Sequence, residues 1–163
     1  MTDRSGFDEF VRARGPALAR TAYLLTGDHH LAEDLVQAAL VQAAKHWERI
    51  ETSPEAYARR TMYHQNISWW RRRKLAETPL ESYDAPVPAT DPTVRLTLEQ
   101  ALRRLTPRQR TVLVLRYFED LTEVQTAAAL GISSGAVKSM SRQALQRLRV
   151  LAPELADLVG ADA

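Results

Sequence analysis

Residues 121–145 read LTEVQTAAALGISSGAVKSMSRQAL, and their spacing predicts two short helices joined by a tight turn. Thr122 followed by Gln125 is a capping box, in which the threonine oxygen takes the third helical amide and the glutamine reaches back to the threonine amide. Gly131 stands where the turn requires a positive φ, which glycine adopts without steric cost. Ser133 caps the second helix. Ala127 must be small because the helices cross closely there, and Ile132 and Val137 are expected to plug the core between them. The spacing Ala-x3-Gly-x5-Val is that of a helix-turn-helix, a unit whose second helix enters the major groove of DNA. Placing Ala127, Gly131 and Val137 in the interior leaves Ser134, Gly135, Lys138, Ser139 and Arg142 on the outward face. Small residues at the start of that helix let it approach base edges, and Lys138 and Arg142 are suited to phosphate or guanine. The helix-start amides at Thr122 and Ser133 are further phosphate sites. An ordinary helical hairpin would share the glycine turn, but not the Ala and Val spacing, the paired caps and a basic second helix free of acids.

Working outward, Thr106-Pro107-Arg108-Gln109 is another capping box, with proline at the first helical position. This half of the chain restarts at Asp91-Pro92, a cap followed by proline. Before it, Ala76 to Pro92 carries Pro79, Pro86, Pro88 and Pro92 with Glu77, Glu81, Asp84 and Asp91 and no basic residue. Prolines at that density prevent regular structure, so an extended acidic linker is expected. Upstream, Ser53-Pro54 opens a helix expected to run to about Lys74. Leu31, Leu35, Ala39, Ala43 and Trp47 recur at helical spacing and define the buried stripe of an earlier helix, with Gly27 ending the preceding one and Asp28 as cap. Phe7, Phe10, Val11, Leu18, Tyr23, Leu24 and Leu25 fall in a first helical region, with a break expected near Gly15-Pro16. No useful length alternates like a strand. The predicted fold is all-α, with a helical domain over residues 1–75, a linker over 76–92, a helix-turn-helix domain over 93–152 and a tail over 153–163.

The formal net charge of +2 says little, but its distribution says more. No acid lies between Glu55 and Glu77, where Arg59, Arg60, Arg71, Arg72, Arg73 and Lys74 all fall, nor between Glu123 and Glu154, which holds Lys138, Arg142, Arg147 and Arg149. Two basic surfaces on a nearly neutral chain point to polyanion contact at two places, the alternative being chance clustering on exposed helix faces. The absence of cysteine excludes a disulfide scaffold, a thiol nucleophile and a Cys-based zinc site. No apolar run approaches the ~20 residues of a membrane span, and the polar N-terminus lacks a secretion signal, so a cytoplasmic protein is expected.

The first half refines this. Glu33-Asp34-Leu35-Val36-Gln37, Asn66 to Lys74 (NISWWRRRK), Leu105 to Leu113 (LTPRQRTVL) and the helix-turn-helix together resemble the extracytoplasmic-function (ECF) sigma factors of the sigma-70 family. The chain is most similar to an actinobacterial SigE-type branch carrying TAYLLTGD and SWWRRR, here Thr21 to Asp28 and Ser68 to Arg73. The likeness covers almost the whole chain in order; its specificity lies in the set of motifs. It implies a first domain that docks on the β′ clamp of core RNA polymerase through Glu33, Asp34, Leu35 and Gln37. The plain alternative is a solvated helix N-terminus, where acids are favourable anyway. It also implies that the helix from Pro54 to Lys74 opens and reads the promoter −10 element, with Arg60, His64, Ile67, Arg71 and Lys74 on one face at helical spacing and Arg72 and Arg73 beside them. Cations along a backbone and surfaces that receive unstacked bases are what melting needs. Trp69 and Trp70 lie about 100° apart on a helix, so one is expected in the core, and Trp70 is either a base-stacking residue or a core residue. The loop Ile50 to Ser53 matches the one that captures a flipped base. His64 departs from the family's usual asparagine. The second domain would read the −35 element as duplex and meet the β flap, and the linker is either a nucleic-acid mimic or a tether. An anti-sigma partner is common in the family, though no residue here identifies one.

The alternative function is a stand-alone helix-turn-helix transcriptional regulator, which explains residues 93–152 but leaves the first domain without a sensing role. An enzyme is not expected. His29, His30, His46 and His64 form no convincing metal set, no phosphate loop or nucleophile constellation is present, and no cofactor is implied.

Overall fold

The computed structural model describes residues 4–76 and 97–155, with the side chains of residues 73–76 outside that description. Among the described residues there are helices and turns and no strand. The chain divides into two compact units, Met1–Trp69 and Trp70–Ala163.

In the first unit α1 (Arg4–Thr26) and α2 (His29–Lys45) form a hairpin. Gly27, at φ 69°, sends its amide back to the Tyr23 carbonyl. The Asp28 carboxylate accepts from the Leu31 amide at 2.9 Å and so starts α2. This amide bond holds the Asp28 carboxyl below its ordinary value. The rings of Tyr23 and His29 stack across the elbow at 4.3 Å. Leu18, Ala22 and Leu25 face Leu35, Val36, Ala39 and Ala43 in the core, and α3 (Pro54–Ala76) adds Ala58, Met62 and Tyr63. Ser53 starts α3 as expected, its hydroxyl accepting from the Ala56 amide.

The first unit corrects the sequence reading in three places. Helix α1 passes through Gly15-Pro16 without a break. A proline inside a helix costs roughly 3 kcal/mol, yet both sides of Pro16 are anchored. Leu18, Ala22 and Leu25 are buried beyond it, while Phe7 and Phe10 before it pack on Trp47 at 5.4 and 5.6 Å. Trp47 itself does not continue the stripe of α2. That helix ends at Lys45, and Trp47 opens a 3₁₀ turn, Trp47–Arg49, which swings the indole back over the first half of α1. The stripe is also broader than expected, since Ala32, Val36 and Leu40 are buried too.

In the second unit α4 (Leu98–Arg103), α5 (Pro107–Leu113) and α6 (Glu123–Leu130) each start from a complete capping box, Thr97 with Gln100, Thr106 with Gln109 and Thr122 with Gln125. The sequence reading found the last two and missed the first. Residues 77–96, which carry most of the expected linker and the Asp91-Pro92 restart, lie outside the described residues. A π-helical turn, Val114–Phe118, follows α5 and was not anticipated; it turns both Val114 and Leu115 inward. Gly131 closes α6 at φ 67°, and the amides of Gly131 and Ile132 both return to the Ala127 carbonyl. A Cβ at Gly131 would meet nothing, so its glycine answers to backbone conformation alone, which an L-residue reaches at a cost of about 1–2 kcal/mol. Helix α7 (Ser134–Leu151) begins with the Ser133 hydroxyl on the Ala136 amide at 3.1 Å and buries Val137, Ser141, Ala144, Leu145 and Leu148. Ala127 and Val137 are buried as expected, whereas Ile132 is only half-buried.

One ion bridge ties α1 to α3. Glu55 Oε1 accepts from Arg14 Nη2 at 2.6 Å and from Arg59 at 2.8 Å, and Arg59 also donates to Thr21 Oγ1 at 2.7 Å. The Arg14 hydrogen bond, with that of Arg59, holds the Glu55 carboxyl below its ordinary 4.5. A depressed folded-state value gives stability that is fully present above the unfolded value and is lost as pH falls through the folded one. Glu55→Gln is therefore expected to lower the melting temperature at pH 7 and to shrink the difference from wild type as pH falls below about 4. Thermal unfolding across pH 3–7 checks this; a difference that stays constant over that range contradicts it.

Candidate nucleic-acid interface

The second helix of the turn motif presents the face expected of it. Val137, Ser141, Ala144, Leu145 and Leu148 recur at helical spacing and turn inward. Ser134, Gly135, Lys138, Ser139 and Arg142 are exposed, as are the caps Thr122 and Ser133. All these residues lie in one unit, on one motif, with both helix starts beside them. Among α7 side chains no acid counters Lys138 or Arg142.

Gly135 is of particular interest. It is the second residue of α7 and exposed, it is absent from the positive-φ positions, and a Cβ there would find only the Ser133 hydroxyl, at 3.9 Å. Glycine within a helix costs about 0.5–1 kcal/mol relative to alanine. Neither backbone conformation nor packing within the chain accounts for it.

On α3, Arg60 and His64 are exposed and Ile67 is half-buried, and the spacing continues to Arg71, which is exposed with Arg72. The inward side of the same helix is Ala58, Met62, Tyr63 and Asn66. Arg73 and Lys74 lie on helical backbone, their side chains outside the described residues. Trp69 and Trp70 are both half-buried, so neither is the core residue that one of them was expected to be. Trp69 falls in the angular sector that Ala58, Met62 and Asn66 bury nearer the helix start, and Trp70 at its edge beside the direction of Tyr63, so neither is fully exposed. Arg59, counted in the sequence with this basic stretch, instead spans Glu55 and Thr21. In the loop Ile50 to Ser53, Ile50 is half-buried and Glu51, Thr52 and Ser53 are exposed.

On α2, Glu33, Asp34 and Gln37 are exposed around the first two turns. Leu35 is not available with them. It is fully buried against α1, so its place is the core that holds those three outward, and its assignment to a contact surface is corrected. No group of His, Asp and Glu among the described residues could hold a metal ion. No helix there is long and apolar enough to cross a membrane.

The second of the two helical units carries a helix-turn-helix with a basic outer face, the arrangement of a DNA-binding domain. Residues 10–75 match the family model described as Sigma-70 region 2, and residues 101–150 match Sigma-70, region 4. The RNA polymerase sigma-E factor of Streptomyces coelicolor is 44% identical over 149 residues, covering 88% of this chain and 84% of that protein. The sigma-E factor of Streptomyces avermitilis is 45% identical over 148 residues, covering 88% and 83%. The ECF RNA polymerase sigma factor SigE of Mycolicibacterium smegmatis is 31% identical over 156 residues, covering 88% of this chain and 60% of that protein. In fold, the chain is similar to the sigma factor RpoE of Bartonella quintana, solved with the anti-sigma factor NepR, at a TM-score of 0.65 and 24% identity over 90% of this chain and 96% of that one. The chain belongs to the sigma-70 family of RNA polymerase sigma factors, in its extracytoplasmic-function group.

Gly135→Ala is expected to stabilise the free protein by about 0.5–1 kcal/mol while weakening promoter binding by holoenzyme. Unfolding and promoter-binding titrations on the same preparation check both signs. A variant that is more stable and binds equally well shows that close approach at Gly135 is not used.

Proposed function

We propose that this chain confers promoter specificity on core RNA polymerase, with duplex recognition on α7 and strand opening on α3. The observation that carries this reading is the outward face of α7, where Ser134, Gly135, Lys138, Ser139 and Arg142 are exposed opposite a continuous buried stripe. Lys138 and Arg142 contact bases or phosphates of the −35 element, and the amides after Thr122 and Ser133 take adjacent phosphates.

The face of Arg60, His64, Ile67 and Arg71, continued by the spacing of Lys74 and flanked by Arg72 and Arg73, receives the −10 element as it opens. Trp70 stacks on an unpaired base, a role that its partial exposure supports. Glu33, Asp34 and Gln37 dock on basic residues of the β′ clamp, and the helix-turn-helix domain meets the β flap. The functional domains are residues 1–75 and 93–152, with 76–92 between them and 153–163 as a tail. The polymerase performs the chemistry, so the chain is a recruiting factor in the cytoplasm and not an enzyme. An anti-sigma factor is a fitting regulator, as the Bartonella quintana relative was solved with one.

Substitutions separate the two halves. Arg142→Ala is expected to weaken −35 recognition by roughly 10-fold, the scale of one lost base or phosphate contact, with core affinity unchanged. Asp34→Arg is expected to do the reverse, because a cation meets a basic clamp. Core-binding and promoter-binding titrations check the pair. Loss of core affinity in Arg142→Ala, or unchanged core affinity in Asp34→Arg, contradicts this division of labour.

A further inference from the structure

Helix α1 holds a third acid-free stretch. From Phe10 to Thr26 it carries Arg12, Arg14 and Arg20 and no Asp or Glu. Arg14 is committed to Glu55. Arg12 and Arg20 are exposed, and neither forms a hydrogen bond or ion pair with a described residue.

Two contacts orient the helix that bears them. Arg14 meets Glu55, and further along both helices Thr21 meets Arg59. The order is the same on each, so α1 and α3 run parallel along this stretch. Arg20 is one residue before the contact residue Thr21, and Arg60 is one residue after the contact residue Arg59. Each step turns a helix by about 100°. On two parallel helices that face each other, a step back on one and a step forward on the other point to the same side of the pair. Arg20 therefore stands on the side that bears Arg60 and His64. The two guanidiniums thus stand on one side of the pair of helices that the Arg14–Glu55 and Arg59–Thr21 bonds tie together. Arg12 is about 180° around α1 from Thr21 and points away from α3.

We infer that Arg20 is a promoter-backbone contact, and that the DNA surface of the first unit extends from α3 onto α1. This rests on the reading of α3 as the strand-opening helix. The ligand is a DNA phosphate, recognised by charge rather than by sequence. No acid on the α1 stretch offsets Arg20, and the contact supplies affinity at any promoter sequence.

The test uses holoenzyme assembled from the full chain and core polymerase, on a promoter fragment from which it initiates. Open-complex stability is measured against salt for Arg20→Ala, Arg20→Lys, Arg60→Ala and Arg12→Ala. Arg20→Ala is expected to weaken the complex about 3- to 10-fold at physiological salt and to lower the slope of log K against log salt by about 0.7–0.9, one phosphate contact. Arg20→Lys restores most of the slope, Arg12→Ala leaves it unchanged, and core affinity and melting temperature hold in all. A slope for Arg20→Ala equal to that of Arg12→Ala, with Arg60→Ala reduced, overturns the contact while leaving α3 as the opening helix. Wild-type slopes in both Arg20→Ala and Arg60→Ala overturn the reading of α3 and this inference together.

Discussion

What α7 offers to solvent is decided by what it hides. Val137, Ser141, Ala144, Leu145 and Leu148 turn inward, and burying such valine and leucine side chains contributes about 1.5–3 kcal/mol each. No rotation of the helix keeps that stripe buried and also buries Lys138 or Arg142. The turn before it sets where the stripe begins. Gly131 in the left-handed region and the Ala127 carbonyl that takes two amides stop α6 abruptly, and Ser133 restarts the chain as α7. A shift of one residue would turn α7 by about 100° and carry its small, basic face away from the outward direction. The outward surface of α7 is thus a consequence of core packing and of one turn.

The first unit uses a different device. The hairpin of α1 and α2 is closed by Gly27 and Asp28, and its small core residues Ala22, Ala39 and Ala43 allow close helix approach. Leu35 is central to this. It has no exposed surface of its own, and its burial fixes the outward direction of Glu33, Asp34 and Gln37. Helix α3 is held to α1 by the Arg14–Glu55–Arg59–Thr21 bridge. That bridge takes Arg59 out of the basic stretch of α3, so the charge count of the sequence overstates the exposed basic surface.

Legibility followed the range of the forces involved. Helix starts are written in side chains within three residues, and Asp28, Ser53, Thr106, Thr122 and Ser133 all cap where their sequence says. The left-handed glycine at 131 and the burial of Val137 are also local matters. What escaped depended on distant partners. The helix through Pro16 survives because Trp47 and the α2 core grip it on either side. The π turn at Val114–Phe118 is set by the need to bury both Val114 and Leu115, a tertiary demand with no local signature. Neither tryptophan of the Trp69-Trp70 pair is in the core, because the burial expected from periodicity needs neighbours that periodicity cannot name. Among the candidate site residues, spacing alone predicts the exposure of the α7 face, and it also puts Leu35 in the buried stripe of α2, against the docking role that the family resemblance implies.

The central claim is that this chain gives polymerase a promoter it would otherwise ignore. The most direct measurement is transcription in vitro from a pool of genomic promoter fragments, with the purified chain, with core RNA polymerase, and with both. The account predicts discrete start sites that appear only when both are present and that share an upstream and a downstream sequence element. No initiation, together with no binding of the chain to core polymerase, would contradict it and leave a helix-turn-helix protein that acts on DNA alone.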